Sequence, residues 1–132
     1  MQIKVSTENA SVPVTVIHIA GKIDSATYRI FQEEADKLID NGARHILVDL
    51  AEVSYISSAG LRTLHNIFNK LRSLHKDVDD EELRKKMNNG AYKSPYVKVS
   101  TLAPQVKDAF ELSGFETYIE VFETFDNAVK SF

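Results

Sequence analysis

A β-branched run and a compact apolar run, separated by a segment of helical period, limit what this chain can build. Residues 12–20 (VPVTVIHIA) are rich in valine and isoleucine, and residues 45–50 (HILVDL) are largely apolar. The first mostly alternates and reads as a strand. The second is a continuous apolar run, read as a strand buried on both faces of a sheet. Between them Tyr28, Phe31, Ala35, Leu38 and Ile39 recur at helical spacing. Asp24 or Ser25 is placed to cap that helix, and Asn41-Gly42 to stop it. A strand, a helix and a strand in this order require a crossover, which makes the two strands parallel.

The alternation continues to both ends. Residues 2–7 form a strand ahead of the first run, joined to it through Asn9-Ala10-Ser11, short enough for a hairpin. Pro13 suits a strand start. After residues 57–60 (SSAG), Leu61, Leu64, Phe68 and Leu71, continued by His75, make the apolar stripe of a second helix. Residues 96–102 are a further strand. Pro104 fits the first turn of a helix lined by Val106, Ala109, Phe110 and Leu112 and stopped at Ser113-Gly114. Residues 118–122 read as the last strand. Thr124 then caps a helix packing through Phe125, Ala128, Val129 and Phe132. The order β, β, α, β, α, β, α, β, α predicts an α/β fold: a mixed sheet with an N-terminal antiparallel hairpin followed by parallel βαβ units.

One segment interrupts this economy. Residues 76–94 open acidic (Asp77, Asp79, Asp80, Glu81, Glu82), turn basic (Arg84, Lys85, Lys86) and end in Asn88-Asn89-Gly90. Acid at the start and base at the end match the helix macrodipole, so a short surface helix is expected. Its large apolar residues, Val78, Leu83 and Met87, are too few for a domain. The whole chain, 1–132, is therefore expected to be one domain carrying a surface insertion at about 76–94, either a simple elaboration or a reshaped partner interface.

Composition narrows the function. Apolar residues make up 43% of the 132, enough for one core, and 16 Lys+Arg against 19 Asp+Glu give a net charge of -3. That balance argues against a nucleic-acid binder. With no cysteine, disulfides, thiolate zinc sites and cysteine nucleophiles are excluded. Neither a signal-peptide pattern nor an apolar run of about 20 residues is present, so a cytoplasmic protein without membrane insertion is expected.

Enzyme motifs fail individually. Ser58-Ala59-Gly60 supplies half of a nucleophile elbow, but Ile56 stands where the first glycine should be. Of the four histidines, His18 and His45 fall in strands, and nothing in the pattern aims any of them, His65 and His75 included, at Ser58. They read as core-edge or surface residues. Asp77, Asp79 and Glu81 begin like a calcium loop, yet Glu82 replaces the glycine and Asn88 the bidentate glutamate. Gly21-Lys22 lacks the preceding glycine of a P-loop. The chain is expected to be neither an enzyme nor a holder of metal or cofactor.

What remains is the serine pair. A helix has one N-cap, where a serine contributes about 1 kcal/mol. If Ser57 caps, Ser58 falls at the first helical position with its hydroxyl free to face solvent. A phosphate there would meet unpaired N–H groups and the positive end of the helix dipole, and would bring a charge of about -1.5 to -2. Such a site has the physical properties of a switch.

Residues 46–50 (ILVDL) and 53–61 (VSYISSAGL), with Gly21-Lys22-Ile23-Asp24 upstream and Pro104, Val106, Phe110 and Ser113-Gly114 downstream, resemble the STAS family and within it the bacterial anti-sigma factor antagonists. The resemblance spans nearly the whole chain outside the insertion. It implies helices packed on one face of the sheet. It also implies phosphorylation of Ser58 and a partner-binding surface of Asp24, Ser57, Ser58, Ala59, Gly60, Leu61 and Arg62. Asn66 and Asn69 are further candidates along the helix. The implied partners are an anti-sigma factor that is also a GHKL-type serine kinase, and a PP2C-type phosphatase. Ser57 stands where the family usually has aspartate; serine caps as well but removes a carboxylate. The alternative is a constitutive STAS scaffold or an accessory subunit of a transport complex without a phosphoswitch, for which Ser58→Asp leaves partner binding intact.

Overall fold

In the computed structural model, which describes residues 1–75, 79–90 and 92–132, the chain opens with an antiparallel hairpin. β1 (Gln2–Asn9) pairs with β2 (Pro13–Ile23), from Gln2 opposite Ala20 to Asn9 opposite Pro13. β3 (Ile46–Ile56), β4 (Val97–Ser100) and β5 (Glu120–Phe122) add in parallel, giving one sheet in the order β1-β2-β3-β4-β5. α1 (Tyr28–Asp40) connects β2 to β3, α2 (Ser58–His75) and α3 (Asp80–Asn88) lie between β3 and β4, and α4 (Pro104–Ser113) connects β4 to β5. α5 (Phe125–Lys130) follows the last strand. The mixed sheet with its leading hairpin is as the element order predicts.

β2 and β3 extend beyond the apolar runs that announced them. Their pairing shifts register between His18 and Ala20 and again between Gly21 and Lys22. Irregularities of this kind break strict alternation. The extension ends with Ile23 beside Ile56, both buried.

Alternation along β2 and β3 divides their side chains between two faces. Ile17, Ile19, Ile46, Val48 and Leu50 meet Phe31, Ala35 and Ile39 of α1, the Leu64-Phe68-Leu71 stripe of α2 with Ile67, and Val106 and Phe110 of α4. α3 adds Leu83 to this core, with Met87 packed against it. Val14, Val16 and Leu47 face the other way and form a second cluster with Ala128, covered by Phe125, Val129 and Phe132. β3 is thus buried on both sides, as its unbroken apolar run requires. α5 departs from the one-sided helical layer, because Val14, Val16 and Leu47 leave an apolar strip that its own apolar residues cover.

Local signals hold with specific exceptions. Gly114 stops α4 in the left-handed region at φ 80°, and Thr124 caps α5 by accepting from the Asn127 N–H. The N-cap of α3 is Asp79, which accepts from the Glu82 N–H at 2.7 Å. Asp77 and Val78 of the same segment lie outside the described residues. Leu112, expected to line α4, is 89% exposed. Two residues from Phe110 is roughly 200° around a helix, the opposite face. The last strand is shorter than residues 118–122, because Phe115–Thr117 form a 3-10 turn and strand pairing begins at Glu120.

Candidate functional site

β2 and β3 end side by side, and that ending builds the start of α2. The Ser57 N–H donates to the Ile23 carbonyl at 2.8 Å. Ser57 Oγ accepts from the Gly60 N–H at 3.3 Å, and its carbonyl accepts from the Leu61 N–H at 2.9 Å. Ser57 is therefore the cap. Ser58 takes the first helical position and is exposed. One serine is used by the backbone and the other is offered to solvent.

The residues that follow alternate between mounting the helix and facing out. Gly60 is buried against Ile23 and Ile56, at a distance that leaves no room for a Cβ. Leu61 is buried in the main core, whereas Arg62 is exposed. The Thr63 hydroxyl is buried and donates to the Ala59 carbonyl at 3.2 Å. Further along, Asn66 donates to Gln32 Oε1 of α1 at 3.0 Å, and Asn69 contacts His65 at 3.1 Å.

Asp24 comes next to this helix start because it directly follows Ile23. It does not sit at the N-cap of α1, which is Thr27, a residue making no side-chain cap bond. Instead Asp24 Oδ1 accepts from the N–H groups of Ala26 at 2.9 Å and Thr27 at 3.1 Å. The Thr27 hydroxyl accepts from the Asp24 N–H and donates to the Lys22 carbonyl at 2.7 Å. The Ala26 N–H, then the Thr27 groups and the nearby Lys22 charge, hold the Asp24 carboxyl below its ordinary value against some desolvation. The turn is locked by its own side chains, and its aspartate remains ionised.

No acidic residue lies in the first turn of α2. The positive end of its dipole is therefore not compensated from within the helix. An anion on Ser58 would gain from that field, and a partner surface pressed against it would be repelled or desolvated according to its own charge.

The histidines are engaged elsewhere. His75 stacks on Tyr96 with ring centroids 3.7 Å apart and contacts the Arg44 carbonyl at 3.2 Å. Burial, then the charges of His75 and Lys98, keep His45 below the usual histidine value. The His65 Nδ1 is 2.6 Å from the Tyr118 hydroxyl, and burial lowers this histidine while pushing Tyr118 up to about 12. His18, which the sequence pattern places as a core-edge or surface residue, stands between Ser6 and Asp49 at hydrogen-bond distance from both. The three are far apart in sequence, and only strand register brings them together. Among the described residues no group of three metal-binding side chains occurs, and no helix is long and apolar enough to cross a membrane.

Residues 4–78, more than half of the chain and spanning β1 through α2, match the model of the STAS domain. The chain belongs to the STAS domain family. The STAS match takes in both the Asp24 turn and residues 57–62. BtrV of Bordetella bronchiseptica, named as a candidate anti-sigma factor antagonist, is 27% identical over 114 residues, covering 86% of this chain and 82% of that protein. An anti-sigma factor antagonist from Mycobacterium paratuberculosis superposes with a TM-score of 0.68 at 18% identity, over 98% of this chain and 93% of the other. The Bacillus cell fate determinant SpoIIAA in its phosphorylated form gives a TM-score of 0.64 at 14% identity, over 97% and 96%. These structures share the STAS fold, with the same mixed sheet and accompanying helices.

Proposed function

We propose that this STAS domain is an anti-sigma factor antagonist, a cytoplasmic protein-binding module rather than an enzyme. It would dock an anti-sigma factor through the Asp24 turn and the start of α2 and be released by phosphorylation of Ser58. The observation that carries this reading is the division of labour between the serines. Ser57 satisfies the Gly60 N–H, while Ser58 is exposed at the first helical position. A phosphate can be added at Ser58 without removing the cap. Ser58 and Arg62 are exposed one turn apart on α2, Asp24 follows Ile23, whose carbonyl accepts from the Ser57 N–H, and Gly60 and Leu61 are buried beneath the helix. Similarity to BtrV supports the partner class. The kinase would be the anti-sigma factor itself, of the GHKL type, opposed by a PP2C-type phosphatase.

The test combines intact mass, site localisation and partner recovery from native cells. Expected are a population heavier by one phosphate on Ser58, co-purification of a GHKL-type protein with Ser58→Ala, and at least tenfold lower recovery with Ser58→Asp. Phosphate on Ser57 would overturn the residue assignment. Unmodified protein in every growth condition, together with full partner recovery by Ser58→Asp, would overturn the switch in favour of a constitutive scaffold or transport accessory subunit.

A further inference from the structure

Ser6, His18 and Asp49 stand on three neighbouring strands, β1, β2 and β3, on the sheet face that α5 partly covers. The register places His18 beside Asp49 on one side and beside Lys4 on the other, with Ser6 two residues along β1. Asp49 Oδ2 is 2.8 Å from His18 Nδ1, and His18 Nε2 is 2.9 Å from Ser6 Oγ. The second carboxylate oxygen of Asp49 accepts from the Ala51 N–H at 3.1 Å, which fixes the plane of the group. The ring of Phe125 lies 5.7 Å from that of His18.

The Asp49 contact favours one tautomer of the neutral ring. An ionised carboxylate can only accept, so His18 Nδ1 carries the proton. In the neutral ring Nε2 then holds a lone pair, and it accepts from the Ser6 hydroxyl. A hydroxyl bonded to an imidazole that is itself oriented by a carboxylate is the arrangement that activates serine as a nucleophile. Asp49 is the more protected member, its side chain 16% exposed against 34% for His18, and Ser6 is open to solvent. The nucleophile is reachable while its orienting group is sheltered.

We propose that Ser6 is an acyl-acceptor site, taking an acyl group from an activated ester or thioester with His18 as general base and Asp49 as positioning residue. Ser6 Oγ bonds to the carbonyl carbon, and the bond from that carbon to the leaving oxygen or sulfur breaks. The hydroxyl proton passes to His18 Nε2 and from there to the departing group. The product is an O-acyl serine on β1. This site is built from different residues and a different sheet face than the docking surface, so either reading can fail alone.

The test uses the full chain and p-nitrophenyl acetate, with acetylation followed residue by residue by peptide mapping. Ser58, an exposed serine with no histidine bonded to it, is the internal reference. Ser6 is expected to acetylate about 100-fold or more faster than Ser58, the scale of general-base assistance. His18→Gln is expected to remove that advantage, with the Ser58 rate and far-UV circular dichroism unchanged. Asp49→Asn is expected to slow Ser6 while leaving it ahead of Ser58. Equal rates at Ser6 and Ser58 in the unmodified sequence, or a Ser6 rate indifferent to His18→Gln, would overturn the proposal.

Discussion

A Cβ built on Gly60 would lie 2.7 Å from Cγ2 of Ile23 and 2.8 Å from Cγ1 of Ile56. Both contacts are with β-branched side chains that are themselves buried at the strand ends. Neither can swing aside, so Gly60→Ala must lift the first turn of α2 from the sheet. The expected loss is about 1–3 kcal/mol, the usual cost of overpacking, read from the denaturant midpoint. Partner recovery should fall as well, although no exposed group has been altered.

Phe110 and Leu112 offer a paired comparison within one helix. Phe110 is 1% exposed and Leu112 is 89% exposed. Phe110→Ala should cost about 3–5 kcal/mol, while Leu112→Gln should stay within about 0.5 kcal/mol of the parent. Urea unfolding of the two variants side by side decides the matter. A large loss at Leu112 would mean that α4 is rotated from the orientation described.

Acidification should destabilise the fold. Burial holds His65 below the ordinary histidine value of 6.5, and His45 is lowered in the same direction by burial, His75 and Lys98. Each therefore binds its proton more readily in the unfolded chain. Their contribution is fully present above the unfolded value and is lost as pH falls through the lower folded values. Unfolding midpoints should decline between about pH 7 and pH 5, and the decline should be shallower in His65→Asn. An equally steep decline in that variant would remove His65 from the account.

Ser100 is wholly buried, and its hydroxyl has no partner among the described residues. Removing an unsatisfied buried hydroxyl relieves a desolvation cost. Ser100→Ala should thus be neutral or stabilising by up to about 1 kcal/mol, measured by the thermal midpoint. A clear loss would show that the hydroxyl is satisfied in solution.

Much of the architecture is legible in the sequence because it depends on local periodicity. The apolar runs of β2 and β3, the Leu61-Leu64-Phe68-Leu71 stripe and the Ser57 cap each act within a few residues of themselves. What escaped depends on register or on a third element. The ends of β2 and β3 were hidden by the two register shifts. The side taken by α5 is set by Val14, Val16 and Leu47, whose facing becomes definite only when the sheet exists. The outward turn of Leu112 is readable in principle from its angle to Phe110. The contact of Ser6 with His18 is not, since one residue of slip in the hairpin would turn Ser6 to the other face.

The bond from Ser57 to the Ile23 carbonyl joins main chain to main chain, so it is indifferent to which side chains occupy the surface above it. Residues 58 and 62, which make no such bond, can be exchanged without disturbing the mount on which they are displayed, whereas Asp24 also holds its own turn. Partner preference can therefore diverge among proteins of this shape by surface substitution alone. By the same logic, this chain is a scaffold on which new recognition can be engineered while Ile23, Ile56 and Gly60 are left untouched.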